Sequence, residues 1–218
     1  MGVVNDVISE NPERGLALSY APADKRAALV TLFALDDRLR RITRAARDPM
    51  IGLMRLTWWR EALERLDIAP PPAEPLLQAI ASAVLPLGMS GDDMAALIEG
   101  WERLLEPAPI MMTLAEETGG RLFTFAAQLL GGGSPQVADA GTGWALVGLS
   151  RTWPDFFGEG AAELAPPRFA AAFSLVWPRP LRPLGALALL ARADLDAKSR
   201  PGSPVRVARL LAHRLTGR

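Results

Sequence analysis

The chain contains no cysteine, which excludes disulfides, thiolate metal sites and catalytic thiols. Its only histidine, His213, is expected at the surface of the last helix, leaving neither a catalytic triad nor a histidine-rich metal site. No apolar run approaches the roughly 20 residues of a membrane-spanning helix; the longest, Leu184 to Ala191, covers less than half of that. The opening MGVVNDVISENPER lacks a basic segment followed by an apolar one, so a secretory leader is not expected and a cytoplasmic location is. Alternating Val/Ile/Thr runs are missing, which argues against strands. Gly131-Gly132-Gly133 has neither the GK[ST] ending nor the preceding strand of a phosphate loop.

What is present is a chain of 218 residues, half of them hydrophobic, long enough to bury one core. Nineteen prolines and nineteen glycines cut it into short segments dominated by Ala and Leu. Those residues favour helices, so the fold class is all-α. No repeat or linker divides the chain, and a single domain over 1–218 is expected. The net charge is zero but unevenly spread. Residues 51–164 carry six basic and fifteen acidic side chains, and residues 165–218 carry ten basic and two acidic. That asymmetry points to docking of the basic end on the acidic middle, or to an anionic partner. Nucleic acid is not expected.

Periodicity and breakers place helices over Asn5–Arg14, Asp24–Arg44, Met50–Leu66, Leu76–Val84, Ser90–Leu105, Met112–Leu130 and Val137–Trp153. The sixth should bend at Gly119-Gly120, and Ser90 with Asp93 has the form of a capping box. The stretch from Pro154 to Arg168 reads as a loop, followed by helices over Phe169–Val176, Leu184–Leu195 and Val205–Leu215. In PMIGLMRLTWWREALE (Pro49–Glu64), Ile51, Met54, Trp58 and Ala62 share one helical side. Adjacent Trp58 and Trp59 diverge by about 100°, so Trp58 is expected to be the more buried. Core packing is also the simplest reading of Trp144 and Trp153.

Four blocks together resemble the squalene/phytoene synthase family. RGLALSYAPADKRAALVTLFAL (Arg14–Leu35) is similar to the family's start, and RLTWWREAL (Arg55–Leu63) follows at the expected distance. EETGGRL (Glu116–Leu122) resembles its glycine-bearing cavity helix, and GTGWALVGLSRTWP (Gly141–Pro154) the helix of its second aspartate-rich motif. The resemblance implies an isoprenoid-synthase-like helical bundle around a cavity. In active members, two aspartate-rich helices hold Mg²⁺, which takes hard oxygen ligands and bridges to a diphosphate.

Both motifs depart from that pattern. Set against Phe33-Ala34-Leu35, the DDxxD positions fall on Arg40, Arg41 and Arg44; a shifted register leaves Asp36 and Asp37. In the second motif Arg151 is present, Thr152 stands where the first aspartate should be, and Asp155 is the remaining acid. No metal or other cofactor is therefore expected at the first motif. Asp36 reads as an i, i+4 ion-pair partner of Arg40. Arg41, Arg44 and Arg47 read either as a solvated face or as an anion-binding patch. The resemblance is closest to a divergent branch that includes a mitochondrial complex I assembly factor with degraded aspartate motifs. It implies a non-catalytic protein with an assembly or prenyl-lipid-handling role. The alternative is a Mg²⁺-dependent prenyl transferase using Asp36, Asp37 and Asp155.

For a lipid ligand, the expected binding residues are Arg40, Arg44 and Arg151 for an anionic head, with Phe33 and Trp144 beside the chain. Gly119, Gly120, Gly143 and Gly148 suggest either close helix contact or, the favoured reading, an apolar cavity lined by Leu32, Phe33, Leu122, Phe125 and Trp144. The basic amphipathic tail SPVRVARLLAHRLTGR packs on the acidic body or binds an anionic membrane peripherally. The sequence names no protein partner.

Overall fold

The structure is a computed structural model that describes residues 11–158 and 160–218. It is all-α, with no strand among the described residues. Helix α1 spans Pro12–Leu18, α2 Ala23–Ala45, α3 Pro49–Glu64, α4 Pro75–Ala83, α5 Gly91–Ala95 and α6 Ile98–Arg103. After them come α7 (Met111–Ala115), α8 (Arg121–Leu129), α9 (Gln136–Thr152) and α10 (Pro154–Phe157). The last three are α11 (Gly160–Ala172), α12 (Arg182–Asp194) and α13 (Pro204–Thr216). The part of the expected first helix before residue 11 lies outside the described residues.

Local chemistry sets the helix starts. Asn11 accepts from the Arg14 N–H, Asp48 from the Met50 N–H, and Glu74 from the Leu76 and Leu77 N–H groups. A proline follows each of these caps, where its missing N–H leaves no bond unmade. Ser90 and Asp93 form the expected reciprocal capping box, at 3.0 and 2.9 Å. The bend expected at Gly119-Gly120 is a π turn over Glu116–Gly120 joining α7 to α8.

Helix α9 is the centre of the bundle. It packs on the π turn, α8, α11 and α12, and is buried on most of its circumference. Gly119 and Gly141 allow the closest approach: a Cβ on either would run into the carbonyl oxygen of the other. A Cβ on Gly143 would sit 2.7 Å from the Phe169 ring, and one on Gly120 3.0 Å from Thr142 Oγ1. These glycines serve close helix contact, the less favoured of the two expected readings, and not a cavity. Phe33, Phe123 and Trp144 pack ring on ring with centroids 5.6–5.9 Å apart, so aromatic carbon fills the space where that cavity was expected. Leu32, Phe33 and Leu122 are fully buried.

Three other expectations are corrected. Trp59 is 4% exposed and Trp58 48%, because α3 turns Gly52, Leu56, Trp59 and Leu63 inward. The segment expected as a loop after Pro154 is largely helical. Pro166 and Pro167 lie inside α11, where Ala161, Ala165, Phe169 and Ala172 form a buried face that packs on α9. Burial of that face outweighs the penalty for proline in a helix. His213 is 0% exposed, its ring forming a three-ring cluster with Phe173 and Trp177. Helix α13 lies on α12 with Arg206, Leu210 and His213 inward, leaving Val205, Leu211 and Leu215 exposed.

Candidate functional site

Helices α1, α2, α9, α12 and α13 converge on a half-open pocket of about 290 Å³. The two helices that carry the motif positions supply opposing groups: Arg40 from α2, and Trp144, Gly148 and Arg151 from α9. Glu13 and Arg14 come from α1, Asp194 from α12 and Arg206 from α13. Gly148 is the one glycine of the motif helix with open space beside it, since an added Cβ would meet nothing within 4 Å.

The charges of this pocket pair with each other. Arg40 donates to Asp36 at 2.8 Å, one helical turn back on α2. Arg14 donates to both carboxylate oxygens of Asp37, at 3.0 and 2.8 Å. On the other wall Arg206 donates to Glu13 at 3.0 Å and to Asp194 at 2.6 Å, and Arg151 also donates to Asp194. Four guanidiniums are thus matched by four carboxylates. Arg40 is held further between two indoles, its guanidinium 5.2 Å from the Trp144 ring and 5.7 Å from Trp101. Arg14 sits 5.4 Å from the Phe33 ring.

Asp36 is 3% exposed and forms the expected i, i+4 pair with Arg40. Burial pushes its carboxyl above the ordinary carboxylate range, and the Arg40 guanidinium pulls in the opposite direction. Asp37 is half-buried under Arg14. Asp155 lies exposed on α10 and does not line the pocket, and Arg44 is exposed in the last turn of α2. Phe33 lies beneath the pocket in the aromatic cluster.

The Mg²⁺ implied by the resemblance does not fit these residues. Octahedral Mg²⁺ needs carboxylate oxygens turned toward it, whereas Asp36 and Asp37 turn theirs to guanidiniums. Among the described residues no three His, Cys, Asp or Glu side chains gather in a group suited to a metal ion.

Sequence reasoning missed Glu13, Arg14, Asp194 and Arg206 as members of the site. Glu13 and Arg206 are 193 residues apart, and no spacing or motif signals such a pair. Arg14 was within reach, because it opens the first resembling block. A second cavity of about 470 Å³ shares Leu190 and Arg206 with the first; Leu189, Ala193 and Leu210 line it together with the polar Arg192, Asp196, Ser199 and Arg209.

Among known proteins, no curated protein and no solved structure matches the chain. A family model described as squalene/phytoene synthase matches residues 10–154. That is more than half of the sequence and includes both helices bearing the motif positions, and the chain belongs to the squalene/phytoene synthase family.

Proposed function

We propose that this protein is a non-catalytic member of the family, acting by binding in an assembly or prenyl-lipid-handling role. The observation that carries the reading is the ion pairing of the pocket. The carboxylates nearest the first motif, Asp36 and Asp37, each face a guanidinium. Joining two prenyl diphosphates requires charge on the leaving diphosphate to be neutralised as it departs. A site whose arginines already hold its own carboxylates supplies little of that. The basic C-terminal helix, with exposed Val205, Leu211 and Leu215 beside Arg209, is the proposed peripheral membrane contact.

Lipid handling draws support from two neighbouring cavities that share Leu190 and Arg206. An anionic head would meet Arg151, 60% exposed at the mouth, and an apolar chain would lie along Leu189, Leu190 and Leu210. The test is incubation with farnesyl or geranylgeranyl diphosphate and Mg²⁺, with product analysis, alongside mass spectrometry of lipid extracted from the purified protein. No condensed product is expected. Formation of a squalene- or phytoene-like hydrocarbon overturns the reading, and co-purified prenyl lipid favours handling over assembly.

A further inference from the structure

The outward side of α3 is apolar and uncovered. Met50, Ile51, Met54 and Trp58 are 64, 49, 67 and 48% exposed. On a helix these positions form one stripe about 12 Å long, on the side away from buried Leu56, Trp59 and Leu63. Trp58 stands edge-on against Trp59, with ring centroids 5.4 Å apart, so the exposed indole is braced by a buried one.

Exposed arginines precede and follow the stripe along the chain. Arg41 and Arg44 are exposed near the end of α2, Arg47 in the three-residue connection, Arg55 on α3 and Arg65 just after it. Among the described residues none of these five takes part in an ion pair. The neighbouring acids are fewer: Asp48, which caps α3, and Glu61 and Glu64 toward its far end.

We infer that α3 docks the protein on an anionic lipid bilayer, with Met50, Met54 and Trp58 at the boundary between headgroups and acyl chains. Methionine is flexible enough to settle among acyl chains, and an indole is suited to the interface, with one polar N–H and a large apolar ring. The arginines would meet lipid phosphates, whose density in a bilayer lets several be reached at once without a fixed geometry. A protein partner would instead have to place carboxylates at each of five separate points. This face lies outside the pocket and on a different helix from the α13 contact proposed above, so labels on α3 and α13 distinguish the two.

The absence of cysteine gives a clean test, because Met54→Cys introduces a single thiol for an environment-sensitive fluorophore. A second full-length variant, Leu215→Cys, reports on α13. Each is mixed with vesicles of phosphatidylcholine alone or of phosphatidylcholine with phosphatidylglycerol. The protein should sediment with the phosphatidylglycerol vesicles, and the label at position 54 should shift to the blue and brighten. High salt should reverse both. Trp58→Asp, a change at a half-exposed site that should leave the fold intact by circular dichroism, should weaken vesicle binding about tenfold or more. Three results overturn the inference. One is no sedimentation with either vesicle. Another is sedimentation with an unchanged label at 54, which places the contact elsewhere. The third is a label at 54 that responds to protein concentration without vesicles, which means a second protein molecule covers the face.

Discussion

Glu13 and Arg14 are adjacent in α1 and hold opposite walls of one pocket. The Glu13 carboxylate accepts from Arg206 of α13, and the Arg14 guanidinium donates to Asp37 of α2. One turn of α1 thereby ties the beginning of the fold to its end. The pocket is a junction in the chain's own architecture.

Arg206→Ala tests how much that junction stabilises the fold. Arg206 is 4% exposed and serves both Glu13 and Asp194. Its removal leaves a nearly buried carboxylate unpaired, a change worth about 3 kcal/mol of stability. Chemical denaturation should show that loss, and adding Glu13→Gln should recover part of it. A loss equal to that of an exposed arginine would mean the network is incidental.

Two glycines give opposite expectations. Gly119→Ala drives a methyl group into the Gly141 backbone, which cannot rotate away as a side chain can. Overpacking of this kind costs about 3 kcal/mol. Gly148→Ala meets open space inside a helix and should gain about 0.5 kcal/mol or more. Thermal melts of the two variants should move in opposite directions.

The tryptophan pair separates in the same manner. Trp59→Ala empties a core position and should cost about 3–5 kcal/mol. Trp58→Ala should change stability by only about 0.5 kcal/mol. Urea midpoints settle the order.

His213 gives the fold a dependence on pH. Burial among Phe173, Trp177 and Gly185 holds its pKa below the ordinary 6.5, and its Nδ1 faces the backbone oxygen of Arg218 at 3.1 Å. The unfolded chain takes up a proton near pH 6.5 and the folded chain resists it. Stability is therefore present above that pH and falls as the pH drops from about 6.5 through the lower folded value. Asp36, raised by burial, acts with the opposite sign, so the readout is the difference between wild type and His213→Gln. The wild type should lose more stability between pH 7.5 and 5.5 than the variant; parallel curves would contradict the assignment.

Much of the fold was legible in the chain. The capping box of Ser90 and Asp93, the bend at Gly119-Gly120 and the run of helices followed from local chemistry. Which side of a helix faces inward was not. In α3 the stripe of Ile51, Met54 and Trp58 faces solvent, and in α13 the inward side carries an arginine and a histidine. Tertiary partners decide these faces: the Glu13 and Asp194 carboxylates draw Arg206 inward, and Gly52 lets α3 approach Leu105. The substitution of arginine at Arg40 was readable as a change in the metal site. Its closure by residues 193 positions apart was not.

The charged side chains at the first motif form an ion-pair network in place of a metal site. Calorimetric titration of the purified protein with a non-hydrolysable diphosphate analogue, with and without Mg²⁺, tests it most directly. The account predicts no metal-dependent binding, and no change in that result for Asp36→Ala. Tight binding that requires Mg²⁺ and disappears in Asp36→Ala would contradict it.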